Sequence, residues 1–336
     1  TDSDITFTRA STATYVDRYG IVKTAAVDTI REEKDGFLIE QAGTNLVPYS
    51  EAFDNAAWQK INAVITPNAT TSPDGTANAS KLDYTIVGGL LKEIILNTTA
   101  ASFTFSMWIK STGADRSIRL KLKNSPTTTN FTITDFTATS EWQRFSVTLA
   151  SLAEAIVLEI INLEIDSEFY IWGAQAEQSQ SATSYIPTVA TPVTRIADKA
   201  LLPVLNNVVT KEFSIFGIIS NLSSTTTTGN KFIFRVPVAS GFLAFFYNAG
   251  SPNQYYFRYD DNSADVQPVV YSTENIKYFA ITVDESNVKL NINGTESSLS
   301  KLSDPSLLLA DDFPFFASAV SVGAQFNGNI KDFRIY

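Results

Sequence analysis

The side chains in this chain best suited to chemistry are aromatic, and they are bunched. Between Gly241 and Ser263 the sequence reads GFLAFFYNAGSPNQYYFRYDDNS. In YYFRYDD, Tyr255, Phe257 and Tyr259 alternate with Tyr256 and Arg258, so on a strand the two sets point to opposite faces. One set is suited to a core; the other would present Tyr256 and Arg258. A tyrosine joins a flat apolar body to a polar tip, which can cover the apolar face of a pyranose or fill a protein contact. Tyr256, Arg258 and the adjoining Asp260 and Asp261 are therefore candidates for a glycan or interface contact. The commoner use of such a stripe is a pair of antiparallel core strands.

The four tryptophans, Trp58, Trp108, Trp142 and Trp172, all lie in the first half. Large aromatics usually fill a core. Trp142 in EWQRFSVTL and Trp172 before a glycine read that way. Trp108 is different. In FTFSMWIK it falls on the opposite strand face from Phe105 and Met107, which predicts a solvent-facing or interfacial ring and the best ligand candidate of the four.

Other chemistry is narrowed by what is missing. The chain has no cysteine and no histidine, so it cannot build a disulfide, a thiolate site, a His-dependent triad or a His-ligated metal. Glycoside hydrolysis needs two carboxylates facing each other across a cleft. In LEIINLEI, Glu159 and Glu164 are an odd number of residues apart and would face opposite sides of a strand. Asp260-Asp261 and Asp311-Asp312 sit beside turn residues, where solvation explains them. No catalytic residue and no metal ligand is assigned.

With 25 basic and 35 acidic residues the chain carries a net charge of −10. That disfavours a phosphate backbone and an anionic membrane surface as partners. Apolar runs such as Ile86 to Leu96 are too short and interrupted to span a bilayer, and the start TDSDITFTRAS has no signal-peptide pattern. No nucleic acid and no membrane insertion are expected.

The elements that must position these side chains are strands. Phe103, Phe105, Met107 and Ile109 share one face; Ile118, Leu120 and Leu122 alternate with Arg119, Lys121 and Lys123; Phe145, Val147 and Leu149 repeat the period of two. Connections such as KNSPTTTN and SSTTTTGN are polar turns. Only TAAVDTIREEK has the composition for a turn or two of helix. The pattern predicts an all-β chain of two tandem antiparallel β-sandwiches (jelly rolls) with an extended N-terminal segment. The expected division is an N-terminal capping or attachment segment at 1–50, a first sandwich at 51–187, a Pro-punctuated linker at 188–203 and a second sandwich at 204–336. The closing FNGNIKDFRIY reads as an Asn-Gly turn and a strand, with KDFRIY pairing near the strand opened by Phe213 and Ile215.

Two stretches carry resemblances. Lys277 to Ser298, KYFAITVDESNVKLNINGTESS, has a strand, an acidic turn, a strand and an Asn-Gly hairpin, and with the closing strand it resembles the concanavalin A-like (laminin-G-like) lectin and glucanase fold over about Val204 to Tyr336. The E-x-D-x-x-E catalytic strand of some glucanases of that fold is missing. TRASTATYVDRYG (Thr8 to Gly20), GTNLVPYSEAFDNAAW (Gly43 to Trp58), SPDGTANASKL (Ser72 to Leu82) and WGAQAEQSQSATSYIPT (Trp172 to Thr188) are similar to a group of tailed-phage virion proteins. Such segments look like a carbohydrate-binding-module jelly roll behind a capping stretch.

These resemblances imply a phage head fibre, capsid decoration or tail-fibre component, on the virion surface and not an enzyme, that adheres weakly and multivalently to host-surface glycans. Other virion proteins and further copies of the chain are its expected partners. Related chains often continue into longer fibre or enzymatic regions, so attachment is expected through the N-terminal stretch, a side face or self-assembly. A purely structural virion component is the alternative, and a polysaccharide-degrading enzyme comes third. No cofactor is required, although SPDGTAN and RYDDNSAD offer oxygens for the structural Ca²⁺ that modules of both kinds sometimes hold.

Overall fold

The computed structural model describes residues 6–95, 101–125, 130–151, 155–165, 167–202, 213–223, 230–238, 241–248, 251–260, 265–274, 277–284, 286–300, 313–315 and 327–335. Their regular elements are β-strands in antiparallel sheets, so the chain is all-β. The stretch TAAVDTIREEK is not helical. It finishes the strand Val22–Ala25, turns at Asp28, whose φ of 55° lies in the left-handed region, and enters the strand Arg31–Glu33.

The chain forms two compact units. One comprises Ala13–Thr24 and Gly43–Arg195, the other Thr1–Thr12, Ala25–Ala42 and Ile196–Tyr336. This division differs from the expected one. Residues 1–50 are not a separate segment but are shared between the units. Nor is 188–203 a linker: Val193–Arg195 pairs with Gly43–Asn45 in one unit, and Lys199–Leu202 pairs with Thr6–Thr8 in the other.

Among the described residues, the unit of Gly43–Arg195 packs two five-stranded sheets. One runs Phe131–Ala138, Arg116–Ser125, Ala155–Asn162, Leu90–Ile95, Gln59–Ile61; the other Gln143–Ser151, Ala101–Ser111, Glu168–Glu177, Ala79–Tyr84, Ala63–Thr70. Alternation sets the core. Phe103, Phe105, Met107 and Ile109 are buried in one cluster with Ile118, Leu120, Leu122, Leu158 and Ile160. At about 1.5–3 kcal/mol for each large apolar side chain buried, this cluster is the main stabilising term of the unit.

The second unit packs a sheet containing Thr6–Thr8, Lys199–Leu202, Phe313–Phe315, Asn230–Val238, Gly241–Asn248, Ser251–Asp260, Asp265–Val266 and Val269–Tyr271 with one ordered Thr295–Ser300, Asn287–Ile292, Lys277–Val283, Phe213–Ser223, Asn327–Ile335, Gly36–Ile39, Arg31–Glu33. The KDFRIY strand pairs with Phe213–Ser223 as expected, with Ile215 opposite Ile335. Its other edge is covered by Gly36–Ile39, so it is an interior strand. The expected turn at Asn327-Gly328 is absent, because Gly328 already pairs with Ile39 inside that strand. The Asn293-Gly294 turn is present, and its φ values of 49° and 87° suit the tight hairpin that such a pair favours.

A buried ionic network explains why N-terminal residues belong to this unit. Arg9 Nη1 donates to Asp198 Oδ1 at 3.1 Å, and Arg31 donates to Glu40 Oε2 at 2.7 Å and also to Asp198. The Glu40 N–H donates to Asp198 Oδ2 at 2.7 Å. The Arg9, Arg31 and Asp198 side chains are completely buried, so removing one partner would leave an uncompensated charge inside the protein.

Candidate functional site

The aromatic cluster near Gly241 forms part of the larger sheet of the second unit. Leu243, Phe245 and Tyr247 of one strand, with Tyr255 and Phe257 of the next, point into the core. The alternate residues leave it on the opposite face. Register then lines them up across strands: Phe232 opposite Phe246, Phe246 opposite Tyr256, and Tyr256 opposite Val269. Phe232 and Phe246 have ring centroids 5.3 Å apart, and Phe246 and Tyr256 stack at 5.1 Å with planes only 10° apart. Phe246 is buried beneath its neighbours, whereas Phe232 and Tyr256 stay partly open. The result is an aromatic ladder on the solvent side of a sheet.

One flank of the ladder is cationic. Arg235 lies opposite Ala244, and Ala244 opposite Arg258, so the two arginines bracket an alanine in the next row. Both guanidinium groups lie over the Phe242 ring, at 4.3 Å for Arg235 and 4.8 Å for Arg258. The other flank is neutral and polar. The Tyr256 hydroxyl donates to Gln254 Oε1, and Gln254 Nε2 donates to the Tyr271 hydroxyl at 3.1 Å. Asn248 Nδ2 donates to Asn230 Oδ1 at 3.2 Å. Tyr271 is 66% exposed. Apolar rings between hydrogen-bonding groups are the makings of a sugar-binding surface.

The core side of the same strands has a different character. Burial pushes the Tyr247 and Tyr255 hydroxyls up and pushes the Lys231 and Lys277 ammonium groups down. Lys277 Nζ lies 5.6 Å from the Tyr255 ring centroid. These four residues are buried.

Of the residues singled out from the sequence, Tyr256 and Arg258 lie on the ladder face. Asp260 ends the strand opposite Phe242, but its side chain lies outside the described residues, as does Asp261. The sequence reading missed Phe232, Arg235, Phe242, Phe246, Gln254 and Tyr271. The short polar sequence NAGS between two aromatic runs was a signal for the Phe246–Tyr256 pairing. Phe232 could not be placed, because a register shift between Phe232 and Phe234 breaks the count along that strand.

Trp108 requires a correction. It does leave the core face, but it is only 7% exposed. Its ring meets Trp172 at 5.2 Å and Tyr185 at 5.5 Å, and the Arg144 guanidinium covers it at 4.4 Å. Val22 and Ala79 complete this small outer core. Gly173 is also required: its φ is 66°, and a Cβ there would stand 2.9 Å from Trp108 Cε3. Trp108 is therefore packed rather than solvent-facing, because returning chain covers that side of the sheet. Trp58 is buried beside Phe53, and its Nε1 donates to the Tyr49 carbonyl. Trp142 is half-buried and donates to the Thr71 carbonyl.

The carboxylates weighed for catalysis are engaged elsewhere. Glu159 is held by Lys123 at 2.5 Å and Lys121 at 3.5 Å. Glu164 lies beyond the end of that strand, where it accepts the Ser117 N–H at 2.7 Å and pairs with Arg116, contacts that hold its carboxyl below the usual range. In SPDGTAN, Asp74 closes its own turn by accepting from Ser72 Oγ and from the Thr76 N–H and hydroxyl. RYDDNSAD falls largely outside the described residues, and among those described no group of three or more acidic residues could hold a metal ion.

No protein-family model matches the chain, and no curated protein matches it. Solved structures do. The chain is similar to one described as "CBM4 structure and function" (17% identity, covering 38% of this chain and 83% of that one, TM-score 0.27). It is also similar to domains LG4-5 of the mouse laminin α1 chain (7% identity, 88% and 92%, TM-score 0.31). A third is the N-terminal CBM22-1-CBM22-2 tandem domain of Xyn10C from Paenibacillus barcinonensis (8% identity, 88% and 98%, TM-score 0.34).

Proposed function

We propose that this protein is a non-catalytic, glycan-adhesive module on the surface of a tailed-phage virion, as a head fibre, capsid decoration or tail-fibre component. The observation that carries the reading is the Phe232–Phe246–Tyr256 ladder, an aromatic strip on the outer face of a sheet with hydrogen-bonding groups at its side. A pyranose laid on Tyr256 would cover the ring with its apolar face and reach Gln254 and Tyr271 with its hydroxyls. A shallow face of this kind binds weakly in one copy. Many copies on one particle raise the effective concentration and turn weak contacts into firm adhesion. The virion assignment is supported by the motifs TRASTATYVDRYG, GTNLVPYSEAFDNAAW and WGAQAEQSQSATSYIPT; its partners are host-surface glycans, other virion proteins and further copies of the chain.

The test is binding of the protein, alone and clustered on beads, to a glycan array and to bacterial cells. Saturable binding that competing sugar reverses, and that Tyr256→Ala lowers at least tenfold, supports the reading. Clustered protein that binds no glycan and no cell would overturn it in favour of a purely structural role.

A further inference from the structure

We infer that two copies of this chain join edge to edge through the strand Phe131–Ala138, so that one sheet runs across both. The inference goes beyond the glycan reading: it assigns the surface by which further copies meet, and glycan binding by a monomer would survive its failure.

Phe131–Ala138 is the terminal strand of its five-stranded sheet. Its one partner is Arg116–Ser125, and all eight of its residues pair there without a register shift, from Phe131 opposite Lys123 to Ala138 opposite Arg116. A terminal strand turns every second N–H and C=O away from its sheet. Among the described residues, no other backbone hydrogen bond reaches this strand. Exposed edges are usually guarded by a lysine, a proline, a bulge or shortness. FTITDFTA has none of these, and its single charge, Asp135, is held by Arg119 at 2.6 and 2.8 Å. The other terminal strands of this sandwich differ. Gln59–Ile61 has three residues, and Ala63–Thr70 contains Pro67 and a register shift. Gln143–Ser151 is long, but its exposed residues are Gln143, Ser146, Thr148 and Ala150.

Around the open edge of Phe131–Ala138 the side chains are apolar on both faces of the sheet. On the outer face Phe131 is 47% and Ile133 42% exposed, with Lys121 Nζ 4.9 Å from the Phe131 ring centroid. On the inner face Phe136 meets Phe145 of the facing sheet at 4.6 Å, and both rings are half-buried. Apolar groups flanking unpaired backbone are what an added strand covers. A second copy fits because an antiparallel strand related by a two-fold axis offers the same donors and acceptors in matching order. Apolar side chains then meet their own kind, and the two-fold closes the assembly at a dimer.

The experiment is sedimentation velocity of the full chain over a wide concentration range, with amide hydrogen exchange at its two ends. The chain should pass reversibly from monomer to dimer, and amides within 131–138 should exchange at least tenfold more slowly in the dimer. Ile133→Lys places a guard on an exposed position and should weaken the dimer at least tenfold. Ile61→Lys, on the opposite edge strand, should leave it unchanged. Each copy carries a net charge of −10, so the dimer should strengthen as salt rises. A chain that stays monomeric at every concentration would overturn the self-pairing, whatever other strand the edge accepts. A dimer whose 131–138 amides exchange at the monomer's rate would overturn the edge assignment, and that result needs no variant to fold. Equal weakening by Ile133→Lys and Ile61→Lys would also overturn it. A dimer that weakens with salt would mean that ion pairs hold the copies, and open-ended growth would rule out the two-fold.

Discussion

The molecule contains two aromatic clusters of similar composition with opposite fates. Each occupies the side of an antiparallel sheet that faces away from the main core, and each holds a guanidinium over a ring: Arg144 over Trp108 in one, Arg235 and Arg258 over Phe242 in the other. Around Trp108 the chain supplies its own cover. Tyr185 packs on both tryptophans, Thr14 donates to the Tyr185 carbonyl, and Arg144 gives its N–H groups to the Thr183 carbonyl and Ser106 Oγ. In the other cluster Phe246 is buried, but Phe232 and Tyr256 keep part of their surface open, and Tyr271 stands largely in solvent. Alternation along a strand decides which side chains leave the core. It does not decide what lies over them.

The largest effect should separate the two clusters by stability. Trp172→Ala removes a fully buried ring from the covered cluster and should cost about 3–5 kcal/mol in a urea titration. Tyr256→Ala loses mainly one stacked pair and should cost about 1 kcal/mol. Similar losses at the two positions would mean that the ladder, too, is covered, and the contrast would fail.

A smaller contrast should appear with pH. Glu93 is a buried residue of the first sandwich, and its Oε2 has no hydrogen-bond partner among the described residues. Burial pushes its carboxyl up to about 7. Burial also raises Glu177 and Glu51, which lie beside Tyr185 and Thr183 in the covered cluster. A carboxyl with a folded-state pKa above its unfolded value keeps its proton longer when folded, so stability falls as pH rises from about 4.5 through about 7. The urea midpoint of this sandwich should therefore decline between pH 5 and 8, and Glu93→Gln should flatten the decline. A midpoint that climbs with pH would contradict the assignment.

The smallest effect concerns the margin of the open face. Tyr271→Ala should leave stability within about 0.5 kcal/mol, as is usual for exposed positions. It should weaken sugar binding two- to threefold in a calorimetric titration. A loss as large as that of Tyr256→Ala would move the centre of the site to this edge.

Much of the architecture was legible because its period is simple. The alternations in FTFSMWIK, SIRLKLK and YYFRYDD put Phe105, Leu120 and Phe257 inside and Tyr256 and Arg258 on the far side, as found. The Asn293-Gly294 hairpin and the partner of KDFRIY were also readable. The units' composition was not. Nothing local in Arg31–Glu33 or Gly36–Ile39 says that these strands extend a sheet whose adjoining strand is Asn327–Ile335, at the far end of the sequence, because the reason is the burial of Arg9 and Arg31 against Asp198.

What the sequence determined by itself is the all-β class, the inward and outward sets of strands such as Arg116–Ser125 and Ser251–Asp260, and the narrow chemistry left to a chain with neither histidine nor cysteine. These follow from residue types and a two-residue period, which need no knowledge of distant chain. Only the tertiary structure decided that Trp108 is covered and Tyr256 is not, and that Phe232 and Arg235 join Tyr256 and Arg258 on one face. Cross-strand neighbours depend on register, register depends on bulges and loops, and cover depends on where remote segments return.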